Sequence, residues 1–319
     1  MEIITNPSQV EIKKAAQALK EGHLVAFPTE TVYGLGADAS NEKAVSRIYS
    51  VKGRPPDHPL IVHLSSSDQM ARWTTAIPNS AYKLAKEFWP GPLTLVLKRS
   101  GLAKNYITGS QNSVAIRVPQ HPIANKLLFE FEKLGGDGLV APSANRFGAV
   151  SPTTTADVVD ELGNYLSKTD YIIGGGSCEH GIESTIIGFD GEIPQVLRLG
   201  SITIGEIKNV VQIEVQKSSF NPHTKVSGNL LSHYSPKAKV EISGIPGKGE
   251  GFIALSHVQT PEGAVRLIAP STNKEFAQQL YQGFRLADKQ NINRLIVIPP
   301  IGTGLAESIT DRIQKAANK

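Results

Sequence analysis

Five short polar segments of this 319-residue chain carry the residue types from which a site for a small charged ligand could be built. The first, PTETVYGLG at residues 28–36, follows an apolar run and offers hydroxyls from Thr29, Thr31 and Tyr33. The same residue types also suit a tight, self-capped turn. The second, KGRPPDHPL at 52–60, places Lys52 and Arg54 on a segment stiffened by proline. Two cations there suit a polyphosphate, the arginine through paired hydrogen bonds and the lysine as a point charge; solvated surface charge is the other reading. The third is Arg117 within the apolar run SVAIRVP. A buried guanidinium needs an anionic partner, either a structural carboxylate or the carboxylate of a ligand. The fourth, APSANRFGAVSPT at 141–153, brings Ser143, Asn145 and Ser151 onto a loop leaving a buried strand, an edge that α/β ligands favour. The fifth, GGGSCEHGIESTI at 174–186, has glycines that let backbone approach a ligand closely, followed by Ser184 and Thr185.

These segments need elements to hold them. Apolar spacing in residues 8–21 predicts a helix, with Ser8 able to cap its start and Gly22 to end it. Helical patterns recur at 41–50, 79–89, 121–135 and 155–163. Strand-like runs include HLVAFPT, PLIVHLS, LTLVLKRS, SVAIRVP, LVAPSAN, YIIGGG, ESTIIGFD and QVLRLGS. Several strands follow one another directly, which predicts an α/β fold with a twisted mixed sheet. Residues 214–239 lose apolar periodicity and gain Pro, Ser and Gly, the composition of a linker. Beyond it, KVEIS, GFIALS, AVRLIAP and RLIVIPP alternate with helices over 273–289 and LAESITDRIQKAA, a small Rossmann-like α/β unit. The expected division is therefore a large first domain at 1–213, a linker at 214–239 and a smaller second domain at 240–319.

Composition narrows the classes. With 40% hydrophobic and 19% charged residues, the chain reads as an ordinary globular protein. Its net charge of +4 is scattered, unlike the stripe of a dedicated nucleic-acid binder. A single cysteine, Cys178, allows no intramolecular disulfide and fits a reducing compartment. No signal-peptide core and no membrane-length apolar run is present, so a cytoplasmic location is expected. There is no P-loop signature and no nucleophile elbow. The glycines at 244, 247, 249 and 251 read as a flexible turn, and Cys178 with His180 does not make a convincing metal pair.

The ordered set PTETVYGLG, KGRP, WPGPLT, AIRVP, APSAN, GIESTI and LRLG resembles the YrdC-type threonylcarbamoyl-AMP synthases, in the long form with an additional C-terminal domain. SHYSP at 232–236 resembles that family's linker, which folds back over the active site, and residues 302–313 resemble the end of its extra domain. The resemblance implies a large concave basic cavity and a nucleotidyltransferase that joins L-threonine, bicarbonate and ATP, with Mg2+ accompanying ATP. Its product would serve tRNA threonylcarbamoyladenosine formation through separate transfer machinery. It assigns Thr31, His63, Arg117, Ala141 and Ser184 to threonine. It assigns Lys52, Arg54, His58, Ser113, Ser143, Asn145, Ser151, Arg198 and Tyr234 to the nucleotide, with Lys52, Arg54, Ser143 and Asn145 closest to the chemistry. Three positions depart from the family pattern: His58 stands for an expected Asn, Gly174 for a frequent Asp, and the linker lacks a fuller SPGM-type stretch. An RNA-binding module without catalysis and a carbamoyltransfer domain of the hydrogenase-maturation type are the competing readings. Few aromatics lie in basic stretches to stack on bases, and the accessory zinc-finger and acylphosphatase-like parts of the latter are not in this sequence.

Overall fold

Local signals set the helix ends. Ser8 accepts from the Glu11 amide while Glu11 reaches back to the Ser8 amide, a capping box that starts the helix Gln9–Lys20. Asn41 caps the helix Glu42–Lys52, and Gly53 ends it in the left-handed conformation. Thr154 and Thr272 start the helices Thr155–Leu162 and Asn273–Lys289 in the same way. The computed structural model describes residues 1–217, 226, 228 and 233–318. The expected linker at 214–239 therefore lies partly outside the described residues, and so does Ser232 of the SHYSP segment.

Among the described residues, the strands are β1 (Glu2–Ile4), β2 (Val25–Phe27), β3 (Gly34–Asp38), β4 (Ile61–His63), β5 (Leu93–Lys98), β6 (Ser113–Arg117), β7 (Leu139–Val140), β8 (Tyr171–Ile173), β9 (Thr185–Asp190), β10 (Ile193–Arg198), β11 (Gln216–Lys217), β12 (Lys239–Glu241), β13 (Gly251–Ile253), β14 (Val265–Ile268) and β15 (Arg294–Val297). The first eleven form one sheet in the order β1-β8-β2-β3-β7-β4-β6-β5-β9-β10-β11. Parallel pairs such as β4 with β6 and β5 with β9 alternate with antiparallel ones such as β3 with β7, so the expected mixed sheet is found. The last four strands form a separate sheet, β12-β15-β13-β14, entirely parallel, with the helices Asn273–Lys289 and Leu305–Ala317.

Sequence patterning did not anticipate β1, β3, the helix Ile204–Val211 or the short helices Met70–Trp73 and Asn105–Thr108. Strand β3 reads GLGAD, with poor β-propensity and no alternation. Its neighbours impose the strand: β2 and β7 both pair with it. Gly36 is required there, since a Cβ would sit 2.8 Å from the Phe27 ring.

The two sheets share apolar packing. Val32, Val150 and Ile182 of the first unit cluster with Tyr281, Phe284 and Ile309 of the second. At Gly181, with φ +73°, a Cβ would lie 2.4 Å from the Gln278 Cα, so a side chain there would push the units apart. Arg285 adds an ion pair to Glu161 at 3.2 Å and a hydrogen bond to the Val150 carbonyl at 2.5 Å.

Candidate active site

The register of β4 and β6 builds the floor of the site. Ile61 pairs with Ala115 and His63 with Arg117. Side chains two residues apart share a face, so His63 and Ile61 lie on the same side as Arg117, Ala115 and Ser113. His63, Ile61 and Arg117 line a cleft holding about 560 Å³ of empty space, open solvent included. Ser113, Ile61 and Ala115 line the adjoining hollow. Arg54 donates to the Pro59 carbonyl at 2.9 Å, two residues before β4, and so belongs to the Ser113 side of this floor.

Arg117 has a structural carboxylate. Its Nη2 lies 2.6 Å from Glu30, which belongs to the first motif and also accepts from the Gln120 amide. Nη1 donates to Thr31 Oγ1 at 3.0 Å and Nε to the Gly91 carbonyl at 3.2 Å. Among the described residues these contacts engage three of the five guanidinium N–H groups, leaving one on each terminal nitrogen for an incoming carboxylate. The two readings of Arg117 are therefore compatible. Burial, the largest influence, pushes the Glu30 carboxyl up, but Arg117 outweighs it and keeps the group below the usual range. The first motif divides its labour. Thr29 holds the turn through the Thr31 and Val32 backbone, and Tyr33 holds the Gly175–Gly176 backbone, while Thr31 faces Arg117.

The KGRP and APSAN segments interlock. Lys52 is fully enclosed, and its ammonium donates at 2.5 Å to the carbonyls of both Ser143 and Asn145. Burial first, then neighbouring Arg54, holds the Lys52 pKa well below its ordinary value. The Asn145 amide closes its own loop on the Arg146 and Ala149 carbonyls, and its Oδ1 has no partner among the described residues. Arg54 stacks over Phe147, whose ring also meets His58 edge-on at 5.4 Å. Arg198 grips Ser184 through both its carbonyl and its hydroxyl, and Ser184 in turn meets Thr94 at 2.8 Å. Tyr234 is buried against Tyr281, with its hydroxyl lacking a partner among the described residues and its φ at +61°. A tyrosine in the left-handed region is strained, and such strain gathers at functional sites.

The cleft thus gathers Thr31, Arg54, His63, Arg117, Ala141, Ser143, Ser184, Arg198 and Tyr234. Lys52, Asn145 and Ser151 stand behind its wall, and His58 and Ser113 lie beside it. Sequence reasoning missed Glu30, His233 and Glu183, which also belong here. A signal existed for Glu183, an acid two residues before the buried strand β9. Arg312 also gave one, since it falls between Ile309 and Ile313 on the apolar face of its helix.

Comparison with known proteins follows from this geometry. The Sua5/YciO/YrdC family model, described as telomere recombination, matches residues 17–200. A Pyrococcus abyssi threonylcarbamoyl-AMP synthase is 36% identical, covering 96% of this chain and 94% of its own. The chain belongs to the Sua5/YciO/YrdC family. A second model, the threonylcarbamoyl-AMP synthase C-terminal domain, matches 202–318 of this Sua5/YrdC chain. A Bacillus subtilis threonylcarbamoyl-AMP synthase is 36% identical over 99% of this chain and 95% of its own. The crystal structure of P. abyssi Sua5 complexed with L-threonine superposes with a TM-score of 0.88 at 34% identity, covering 99% of this chain and 97% of that one. The family suggested by the ordered motifs is thus the one found.

In this Sua5/YrdC cleft, burial followed by the Arg117 charge lowers the His63 pKa to about 3, and its Nδ1 has no partner among the described residues. Burial lowers His233 to about 3 as well. Both imidazoles are neutral in the fold, so protons bind the unfolded chain in preference between the unfolded value near 6.5 and pH 3. Stability is expected to be full above pH 6.5 and to fall as the solution is acidified. The loss is about 1–2 kcal/mol per histidine by pH 5. Urea unfolding at pH 7 and pH 5 measures it. A His63→Gln variant whose pH dependence matches the parent would contradict the assignment.

Proposed function

We propose that the chain condenses L-threonine, bicarbonate and ATP into threonylcarbamoyl-AMP and pyrophosphate. The observation that carries the reading is one cleft in which, among the described residues, Arg117 retains two uncommitted N–H groups beside an unpartnered His63 Nδ1, while Arg54 and Arg198 line the same space. Arg117 orients the threonine carboxylate, and Thr31 and the Ala141 backbone shape that pocket. Neutral His63 hydrogen-bonds the threonine hydroxyl. Ser184 completes this end. The threonine amine, unprotonated, attacks the carbonate-level carbon with loss of water. A carbamate oxygen then attacks the α-phosphorus, and pyrophosphate leaves with the bond electrons. Arg54, Arg198 and Lys52 offset the negative charge on the leaving group, with Ser143, Asn145, Ser151, Ser113, His58 and Tyr234 placed around the nucleotide. Mg2+ comes in on the ATP phosphates, oxygen ligands that suit it. Catalysis rests on positioning and electrostatics, with no covalent enzyme intermediate.

The division into 1–213, 214–239 and 240–319 belongs to this proposal, with Tyr234 of the linker lining the cleft. The activated product then passes to transfer machinery that modifies tRNA, in the cytoplasm. Among the described residues no helix is long and apolar enough to cross a membrane. The full-length relatives favour this reading over the RNA-binding and carbamoyltransfer alternatives.

The test incubates purified protein with radiolabelled bicarbonate, ATP, Mg2+ and either L-threonine or L-valine. A labelled adenylate is expected with threonine only. A site that hydrogen-bonds a substrate hydroxyl rejects the analogue lacking it by roughly 10⁴-fold. ATP binding without product from either amino acid would overturn the reading.

A further inference from the structure

One carboxylate, Glu183, takes partners from both units. Glu183 lines the cleft and is buried. Its Oε2 accepts from Arg312 Nε at 2.8 Å and its Oε1 from Ser151 Oγ at 2.7 Å. The Tyr281 hydroxyl lies 3.1 Å from Oε1 and 3.0 Å from Oε2. Arg312 and Tyr281 both stand on helices of the second unit. Arg312 is fully enclosed and also donates to the Leu199 carbonyl at 2.7 Å. Burial pushes the Glu183 carboxyl up, but Arg312, Arg198 and Ser151 outweigh it and leave it at about 2.

A carboxylate in the wall of a phosphate-binding cleft repels the ligand unless a cation compensates it, and a buried carboxylate without a partner is costly. The cation comes from a residue 129 positions away, in the second unit. Ser151 has a single O–H, and while that proton serves Glu183 it cannot serve a phosphate. The Tyr281 hydroxyl reaches both carboxylate oxygens, so Oε1 keeps a donor when Ser151 turns away.

We infer that Arg312 and Tyr281 are positioning residues of the nucleotide site, acting from the second unit through Glu183 to release Ser151 to the phosphates of ATP. The inference rests on the cleft being an ATP site. It differs from a purely structural clamp, because other contacts also dock the units, among them Ser308 Oγ to the Gly200 carbonyl at 2.8 Å and Arg285 to Glu161.

The test uses the full chain with Arg312→Gln, Tyr281→Phe and the pair Glu183→Gln/Arg312→Gln. Calorimetry reads ATP affinity, kinetics read both KM values, and thermal melting reads stability. Arg312→Gln is expected to weaken ATP by about tenfold, about 1.4 kcal/mol, with the threonine KM within about twofold. Tyr281→Phe keeps the ring on Tyr234 and is expected to weaken ATP by about threefold. The pair removes both charges and is expected to return ATP affinity to within about threefold of the parent. Unchanged ATP affinity in the single variants, or a pair no better than Arg312→Gln, overturns the inference. If Arg312→Gln does not fold, Tyr281→Phe and the pair decide on the same criteria. A parent chain that binds ATP but makes no threonine-dependent product would defeat the proposed reaction, while the affinity series would still decide this inference. A parent that binds no ATP would defeat both.

Discussion

Replacing Arg117 by methionine is expected to abolish threonine-dependent pyrophosphate release and to lower unfolding free energy by about 3–5 kcal/mol. Two effects coincide at this side chain. In the proposed reaction the guanidinium anchors the threonine carboxylate through the two N–H groups that its contacts among the described residues leave. It is also the cation that holds Glu30 at 2.6 Å in a buried setting. Methionine fills the volume but leaves Glu30 as a buried charge without its partner. The double variant Glu30→Gln/Arg117→Met separates the two effects. It should recover most of the stability, since no charge is stranded, and none of the activity. Urea unfolding and initial rates against threonine concentration measure these outcomes. A single variant that keeps its threonine KM would remove Arg117 from the substrate site and leave it a structural ion pair.

Lys52→Met is expected to lower kcat/KM for ATP by about 10²–10³-fold, the scale of losing one preorganised charge stabiliser, with a much smaller change in threonine KM. The Lys52 ammonium does not line the cleft. It ties the Ser143 and Asn145 carbonyls together at 2.5 Å each, so it sets the APSAN loop that edges the cleft. Burial and Arg54 disfavour its charged form, which an incoming polyphosphate would favour. Methionine removes that charge and strands two carbonyls, each worth about 1–3 kcal/mol when left unpaired. Lys52→Arg should fail almost as badly, because a planar fork does not fit a fully enclosed point-charge site. A Lys52→Met enzyme within tenfold of the parent would show that Arg54 and Arg198 suffice for the leaving group.

Much of the site was legible in the residues themselves. An arginine inside SVAIRVP had to meet an anion, whatever the fold. The helix starts at Ser8, Asn41 and Thr154 were written in capping residues three positions from the groups they satisfy. The ordered loops named the family, and the relatives that match nearly the whole chain bear that out. These signals are local or ordered along the chain, and so survive reading without coordinates.

Which anion Arg117 meets was a different kind of question. Glu30 lies 87 residues away, and nothing in PTETVYG marks its acid as the partner in place of any other carboxylate. The pairing depends on the loop after β2 meeting the end of β6, while the register of β4 on β6 puts His63 beside Arg117. The glycine-rich strand β3 exists because β2 and β7 offer it hydrogen bonds on both edges, against its own propensity. The Glu183, Ser151, Tyr281 and Arg312 junction needed two units to dock before its charges could compensate one another. Sequence alone determined the residue types, several helix starts and the family, because each is encoded within a few residues or in motif order. Tertiary structure decided the partners, because strand register and domain docking are set by packing between segments far apart in the chain.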